Sequence, residues 1–406
     1  MHLAVRNAVG LEHSSSTRQP CGCRQPGGSE RGALSPFAVI IGGGIVGCSI
    51  AYNLASRGCS DILLVERHFV GAGATGRCVG GIYFLERDPL DCRLSTLGYH
   101  AHSCLSDQLD APTDFRPVGS LTVFTDPIDL EQGTRTARSV RERGLDAEVV
   151  RRDRIRAILP CLRVDDLAGG IFCREYARAD PHAVTQAYRS AAERLRVRVL
   201  EGVAVAGIRV QRGRVIGVEL GSEVIHAEVV VNAAGAFAHE VGNMAGVNLP
   251  VFPSKRQAFQ FALPDSSLTS GPVVVEEDKD FHLIPDLGGP IVIQGIPASR
   301  ELEEHVQLDQ LDEIAPWMLH RVPTMVNAGL RNAWAGLRCF CNDGRPILGA
   351  LESPVGLFCA IGWGGRGFAQ GPAVGILAAE MILEGKSLTL DVSALSPLRF
   401  TSASLA

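Results

Sequence analysis

Positive charge is not in excess in this chain: 39 Lys and Arg stand against 44 Asp and Glu, a net of −5. With no basic stripe to neutralise a phosphate backbone, nucleic acid is not an expected partner. Charged residues of both signs make up only 20% of the chain, whereas 46% is hydrophobic. Over 406 residues that is enough to bury a sizeable core, as one large domain or two intimately joined ones. No C-x-x-C pair occurs among the twelve cysteines, and no regular spacing links them, so reduced thiols in a reducing compartment are expected rather than a disulfide framework. The C-x-C pairs Cys21/Cys23 and Cys339/Cys341 lack His or Cys partners at zinc spacing, so no metal is expected.

A convincing membrane span is also lacking. The longest uncharged stretch, Gly32 to Ser56, is broken by Gly42, Gly43, Gly44 and Gly47, and it reads as strand, turn and helix in a core. Before it, residues 1–35 carry Ser14, Ser15, Ser16, Gln19 and Pro20 without apolar periodicity, as a disordered leader would. Arg6, Arg18, Arg24 and Arg31 leave a mitochondrial transit peptide open, while Glu12 and Glu30 and the missing amphipathic pattern favour a cytoplasmic protein with an over-extended start.

From Phe37 the order is strand, glycine turn, helix (Ile45 to Arg57) and strand (Asp61 to Val65), the opening of a doubly wound α/β sheet. Further on, the pattern predicts a strand at Gly119 to Phe124 and helices at Asp129 to Arg143, Asp153 to Leu159 and from Asp180 to about Arg196. Val203 to Val210, Val215 to Leu220 and Ala227 to Val231 predict a three-stranded meander. Ala258 to Leu263, Val273 to Glu276, Phe281 to Ile284 and Ile291 to Ile293 predict strands of a second sheet, and Gly371 to Leu383 the last long helix. There is no internal repeat.

Within the opening, Gly42-Gly43-Gly44-Ile45-Val46-Gly47 matches G-x-G-x-x-G between strand and helix. Gly42 permits the tight turn, Gly44 lets the backbone approach a pyrophosphate at the helix N-terminus, and Gly47 lets the helix pack closely on the strand. Glu66, ending the second strand, is placed to accept hydrogen bonds from ribose hydroxyls and disfavours a 2′-phosphate. The motif alone does not separate FAD from NAD. The small-residue run from Gly71 to Ile82 suits the passage of a backbone along a flat ring system.

These segments resemble FAD-dependent amine and amino-acid oxidoreductases of the D-amino acid oxidase superfamily, of the glycine oxidase, sarcosine oxidase beta subunit and proline dehydrogenase beta subunit type. The resemblance extends to Val231 to Gly235, Trp334-Ala335-Gly336-Leu337-Arg338, Asp343 to Gly349 and Gly362 to Gly375. It implies FAD as cofactor in a Rossmann-like doubly wound domain formed by residues 36–90, 160–240 and 328–406; covalent attachment stays open, with noncovalent binding favoured because Cys339 and Cys341 are not clearly at the position where some relatives attach FAD. An α+β antiparallel-sheet substrate domain formed by residues 91–159 and 241–327 would be inserted into that domain. Cofactor contacts are implied at Gly42, Gly44, Gly47, Glu66, Arg67, Thr75, Gly76, Arg77, Gly81, Val203, Gly235, Gly362, Gly365, Gly367 and Phe368, with the backbone of Val203 at the adenine end.

The resemblance also implies chemistry: hydride removal from the carbon beside an amine nitrogen, with oxygen, a quinone or a partner subunit taking the electrons. Arg338 is implied to hold the substrate carboxylate bidentately. His282 stands where relatives often have tyrosine and is a candidate for the amine or its proton. Arg366 replaces a histidine common in this loop and is a candidate for the carboxylate or for anionic flavin. Tyr83 and Ala369 stand near positions that are basic in monomeric sarcosine oxidases, which counts against a sarcosine oxidase pocket, and together with Arg366 they leave room for an FAD-bound assembly protein without turnover; Cys339 follows Arg338 where relatives usually have proline.

Overall fold

The computed structural model describes residues 36–83, 86, 88–264, 268–294 and 302–400, so the leader expected at 1–35 lies outside the described residues. Short, almost uninterrupted apolar runs form the first sheet. Its six strands run Ile347–Ala350, Leu357–Ile361, Val229–Asn232, Ala38–Ile41, Ile62–Val65 and Arg198–Leu200, all parallel except the first pair. Successive residues serve opposite cores: Ile40, Leu64 and Val231 face one cluster, while Val39, Leu63 and Val230 face the other. A sheet covered on both faces needs this continuous hydrophobicity instead of alternation.

Helix Ile45–Ser56 packs on the C-terminal helix Gly367–Glu384, and the approach depends on a missing side chain: a Cβ at Gly375 would lie 1.9 Å from Ser49 Oγ. Helix Pro89–Leu109 packs on the same C-terminal helix. Three helices start alike, at Asp88-Pro89, Asp126-Pro127 and Asp180-Pro181. In each, the aspartate accepts orphan N–H groups and proline occupies a first-turn position that needs no N–H.

The second sheet has eight strands, ordered Gly329–Cys341, Val251–Ala262, Ile291–Gln294, Phe281–Ile284, Val273–Glu276, Ser120–Phe124, Gly169–Cys173 and Ala147–Val150. Its long edge pair sets Arg338 opposite Ser254, and Gly336 opposite Arg256. Behind the sheet, the fully buried Arg321 donates to Glu276 and Asp166 and thereby ties helix Gln310–Arg321 to it.

Several expectations need correction. The meander's third strand is Glu223–His226; Val229–Asn232 leaves it to enter the parallel sheet, because its side chains are needed in both cores. The domain boundaries at 160 and 328 do not follow the sheets: Gly169–Cys173 and Gly329–Cys341 both belong to the eight-stranded sheet. Helix Pro89–Leu109, assigned to the substrate side beyond residue 90, packs on the nucleotide side. Neither that helix nor Gln310–Arg321 was expected. The first sets Leu90, Leu94, Ala101, Leu105 and Leu109 on its buried face among many polar residues, and the second buries Ile314 and Met318 on either side of Pro316, a residue that argues against a helix in the sequence. No described helix is long and apolar enough to cross a membrane.

Candidate active site

The glycine turn closes on itself through backbone contacts no other residue would permit. Gly42, at φ +114°, would place a Cβ 2.4 Å from the Ala233 carbonyl oxygen, and a Cβ on Gly47 would lie 1.9 Å from the Gly42 carbonyl oxygen. Gly43 N–H donates to Glu66 Oε2 at 2.8 Å, His68 N–H to Glu66 Oε1 at 2.9 Å, and Ile45 N–H to Thr75 Oγ1 at 3.1 Å. Thus the turn, the acid ending the second strand and the small-residue run form one unit at the open N-terminus of helix Ile45–Ser56, where an anion is favoured.

A cavity of about 810 Å³ opens from this unit. Gly42, Gly44, Glu66, Arg67, Thr75, Arg77, Val203, Gly235, Gly362, Gly365, Gly367 and Phe368 line it, as does Arg338. At the nucleotide end the Arg67 guanidinium lies 3.5 Å from the centre of the Phe237 ring, forming a flat wall. The Val203 N–H already donates to the Glu66 carbonyl at 3.1 Å. Gly47, Gly76 and Gly81 are not in the wall. They serve close packing instead, since a Cβ on Gly76 or Gly81 would come within 2.4 Å of the Gly71 carbonyl oxygen or the Tyr176 hydroxyl respectively. Arg77 is held from three sides: it donates to the Ala72 carbonyl, pairs with Glu304 at 2.7 Å, and its own carbonyl accepts the Trp334 indole N–H at 2.8 Å.

The two ends of the chain meet at Arg338. A Cβ on Gly365 would lie 3.3 Å from Arg338 Nη1 and 4.0 Å from the Tyr83 hydroxyl, so both side chains converge on the C-terminal glycine loop. Arg338 Nε is buried and has no hydrogen-bond partner among the described residues. Burial, then repulsion from Arg256, lowers its guanidinium to about 10. Asp280, the acid whose charge opposes that shift, is already gripped by Arg256 and lies 3.4 Å from His282 Nε2. His282 itself does not line the cavity and stands within this Arg256–Asp280 group. Arg366 also lies outside the wall: its guanidinium pairs with Asp91 and, at 3.8 Å, with Glu86. The charge proposed for a substrate or flavin is therefore spent on two carboxylates brought by helix Pro89–Leu109 and the segment before it. The sequence reading missed Glu86, Asp91, Glu304 and Trp363; only the Asp88-Pro89 helix start, which sets Asp91 in a first turn, was a usable signal.

A glycine turn that a Cβ at Gly42 or Gly47 would break, an acid at the second strand end and a cavity that also reaches a guanidinium with a buried, unpaired Nε fit a dinucleotide-binding oxidoreductase. The chain belongs to the FAD dependent oxidoreductase family (DAO), which matches residues 38–381. It is 26% identical to sarcosine oxidase subunit beta of Rhizobium meliloti, covering 86% of this chain and 84% of that one. It is 25% identical over 377 residues to the formaldehyde-forming 4-methylaminobutanoate oxidase of Paenarthrobacter nicotinovorans, covering 89% of this chain but 45% of the relative, so it spans about half of that protein's length. Among solved structures it resembles L-proline dehydrogenase from P. horikoshii, with a TM-score of 0.85, 26% identity and coverage of 92% and 100%. FAD is the cofactor of this family, and the glycine cradle with Glu66 at the second strand end suits its nucleotide half.

Proposed function

We propose that the protein oxidises the C–N bond of a small amino acid or N-alkyl amino acid. The observation that carries this reading is the Arg338 guanidinium, set in the cavity wall with a buried donor unpaired. An arginine fork in such a setting matches a carboxylate, and a desolvated charge left without a partner is completed by an anionic ligand. When bound, FAD supplies two-electron acceptor chemistry, which side chains lack. The chain's part is placement. Arg338 holds the carboxylate, Gly365 leaves room beside it, and Arg77 lines the same cavity with its carbonyl fixed from behind by the Trp334 indole N–H. Oxidation leaves an imine that water hydrolyses to a keto acid or an aldehyde.

The sarcosine oxidase subunit and the proline dehydrogenase it resembles support an amino-acid substrate, and a subunit relative supports a partner protein as one route for electrons, beside oxygen and a quinone. The test is anaerobic: FAD-loaded protein is mixed with glycine, sarcosine, L-proline and D-amino acids, and loss of the flavin's visible absorbance is followed. One carboxylated amine bleaching the flavin, with affinity lowered about 10- to 100-fold in Arg338→Ala, is the expected result, as for loss of charged hydrogen bonds. If the variant binds that substrate with unchanged affinity, the site is misassigned. Bleaching by none of them favours the FAD-bound assembly role.

A further inference from the structure

The C-terminal helix Gly367–Glu384 starts at the cavity, and a donor is missing from its first turns by sequence. Pro372 lies inside the helix, so it has no N–H to give the Phe368 carbonyl four residues back, and its ring crowds that carbonyl. A buried carbonyl without a donor is costly, so the partner must come from elsewhere. It comes from across 266 residues of sequence. His102, 1% exposed on helix Pro89–Leu109, places Nε2 3.0 Å from the Phe368 oxygen. Because a carbonyl only accepts, Nε2 carries the hydrogen, and Nδ1, buried with no hydrogen-bond partner among the described residues, is the bare nitrogen. Burial lowers this imidazole to about 4 against the opposing bond to Phe368, so near neutrality it is uncharged.

The imidazole does not act alone. Asp91, Ser95, Gly98 and His102 recur at intervals of four, three and four residues, which sets them on one face of their helix. That face meets the start of the C-terminal helix residue by residue. Asp91 takes Arg366, Ser95 Oγ accepts from Gln370 Nε2 at 2.9 Å, and Gly98 lies so near that a Cβ would come 2.2 Å from the Ala369 carbonyl oxygen. The His102 ring itself lies 5.0 Å from that of Phe368, centre to centre. Gly367 and Phe368 line the cavity, so what grips this turn from behind fixes how far the wall advances.

We propose that His102 is a positioning residue for the FAD cavity, standing in for the N–H that Pro372 lacks and so holding Gly367 and Phe368 in the wall. The inference does not depend on which amine is oxidised. Without the imidazole donor, the Phe368 carbonyl turns toward another partner and carries its own ring and backbone with it. A wall residue keeps its geometry only as well as the contacts behind it.

The experiment compares the full-length native protein with His102→Leu, His102→Gln, Pro372→Ala and the double variant His102→Leu with Pro372→Ala. FAD is titrated into each apoprotein, and the visible bands of the loaded form and the melting temperature of the apoprotein are recorded. His102→Leu is expected to bind FAD about 10-fold more weakly and to show shifted flavin bands, as for one buried hydrogen bond coupled to binding. His102→Gln, whose Nε2 donates at a similar reach, should recover the native affinity to within about threefold. Pro372→Ala returns the N–H to the helix, so the double variant should recover affinity and bands to the same degree, a coupling that independent sites do not show. Should His102→Leu fail to fold, His102→Asn, polar but too short to reach the carbonyl, takes its place with the same expectations. A lowered melting temperature with native FAD affinity and bands makes the histidine mere packing and overturns the proposal. Loss of affinity that either His102→Gln or the added Pro372→Ala fails to recover overturns it as well.

Discussion

Gly365 and Arg338 are neighbours so close that a methyl group on the glycine would touch the guanidinium, 3.3 Å from Nη1. Because the obstacle is the far end of a flexible side chain, Gly365→Ala should fold and keep FAD while displacing the fork from its carboxylate geometry. We expect the KM for the carboxylated substrate to rise about 5- to 20-fold with FAD content unchanged, in line with a partly lost charged contact. Steady-state kinetics beside the flavin-to-protein absorbance ratio separates the two effects; loss of FAD in this variant would place Gly365 in the cofactor cradle instead.

Gly47 admits no such relief. The clash at 1.9 Å is with the Gly42 backbone, which is itself pinned by its N–H to the Val65 carbonyl at 2.9 Å. Gly47→Ala should therefore lift helix Ile45–Ser56 off the first strand, destabilising the fold by about 2–4 kcal/mol and emptying the site of FAD. Thermal unfolding and flavin fluorescence would show it. A variant with native stability and a full FAD complement would contradict the close-packing role.

Trp334 gives its indole N–H to the Arg77 carbonyl, across 257 residues of sequence, and so couples the substrate sheet to the cofactor loop. Trp334→Phe keeps the ring and removes the donor. The expected cost is about 1 kcal/mol, seen as roughly fivefold weaker FAD binding in a titration of apoprotein.

Arg321 is fully buried between Glu276, also fully buried, and the partly exposed Asp166. Glu276→Gln leaves that arginine under-compensated and should cost about 3–5 kcal/mol. Asp166 responds to pH. Burial would raise its carboxyl, but hydrogen bonds from Arg321 and His320 outweigh this and hold it down at about 2. Since the folded value lies below the unfolded value of about 3.9, the stabilisation is present above about pH 4 and is lost as pH falls through about 2. Melting temperature measured from pH 5 to 2 should fall less steeply in Asp166→Asn than in the native protein.

Much of the nucleotide half was legible because its signals are local. The run from Val39 to Gly47, Glu66 at a strand end and the small residues before Ile82 each demand a backbone shape that neighbouring residues alone impose. Arg338 was legible through its motif, and the structure brings it to the cavity wall. Arg366 was misleading for a physical reason: a free guanidinium and one consumed by Glu86 and Asp91 are spelled identically, and those partners lie some 275 residues away in the chain. Glu86 stayed invisible because nothing in its neighbours says that one oxygen will be dry and unpaired.

The amino-acid sequence by itself determined the glycine cradle, the apolar strands buried on both faces and the Asp-Pro helix starts, since each depends on backbone conformation and burial within a few residues. Only the tertiary structure decided which charges are spent and which are left for a ligand. Pairing and desolvation depend on distance through space, and it is the packing of helix Pro89–Leu109 and the long strand Gly329–Cys341 around one cavity that sets those distances.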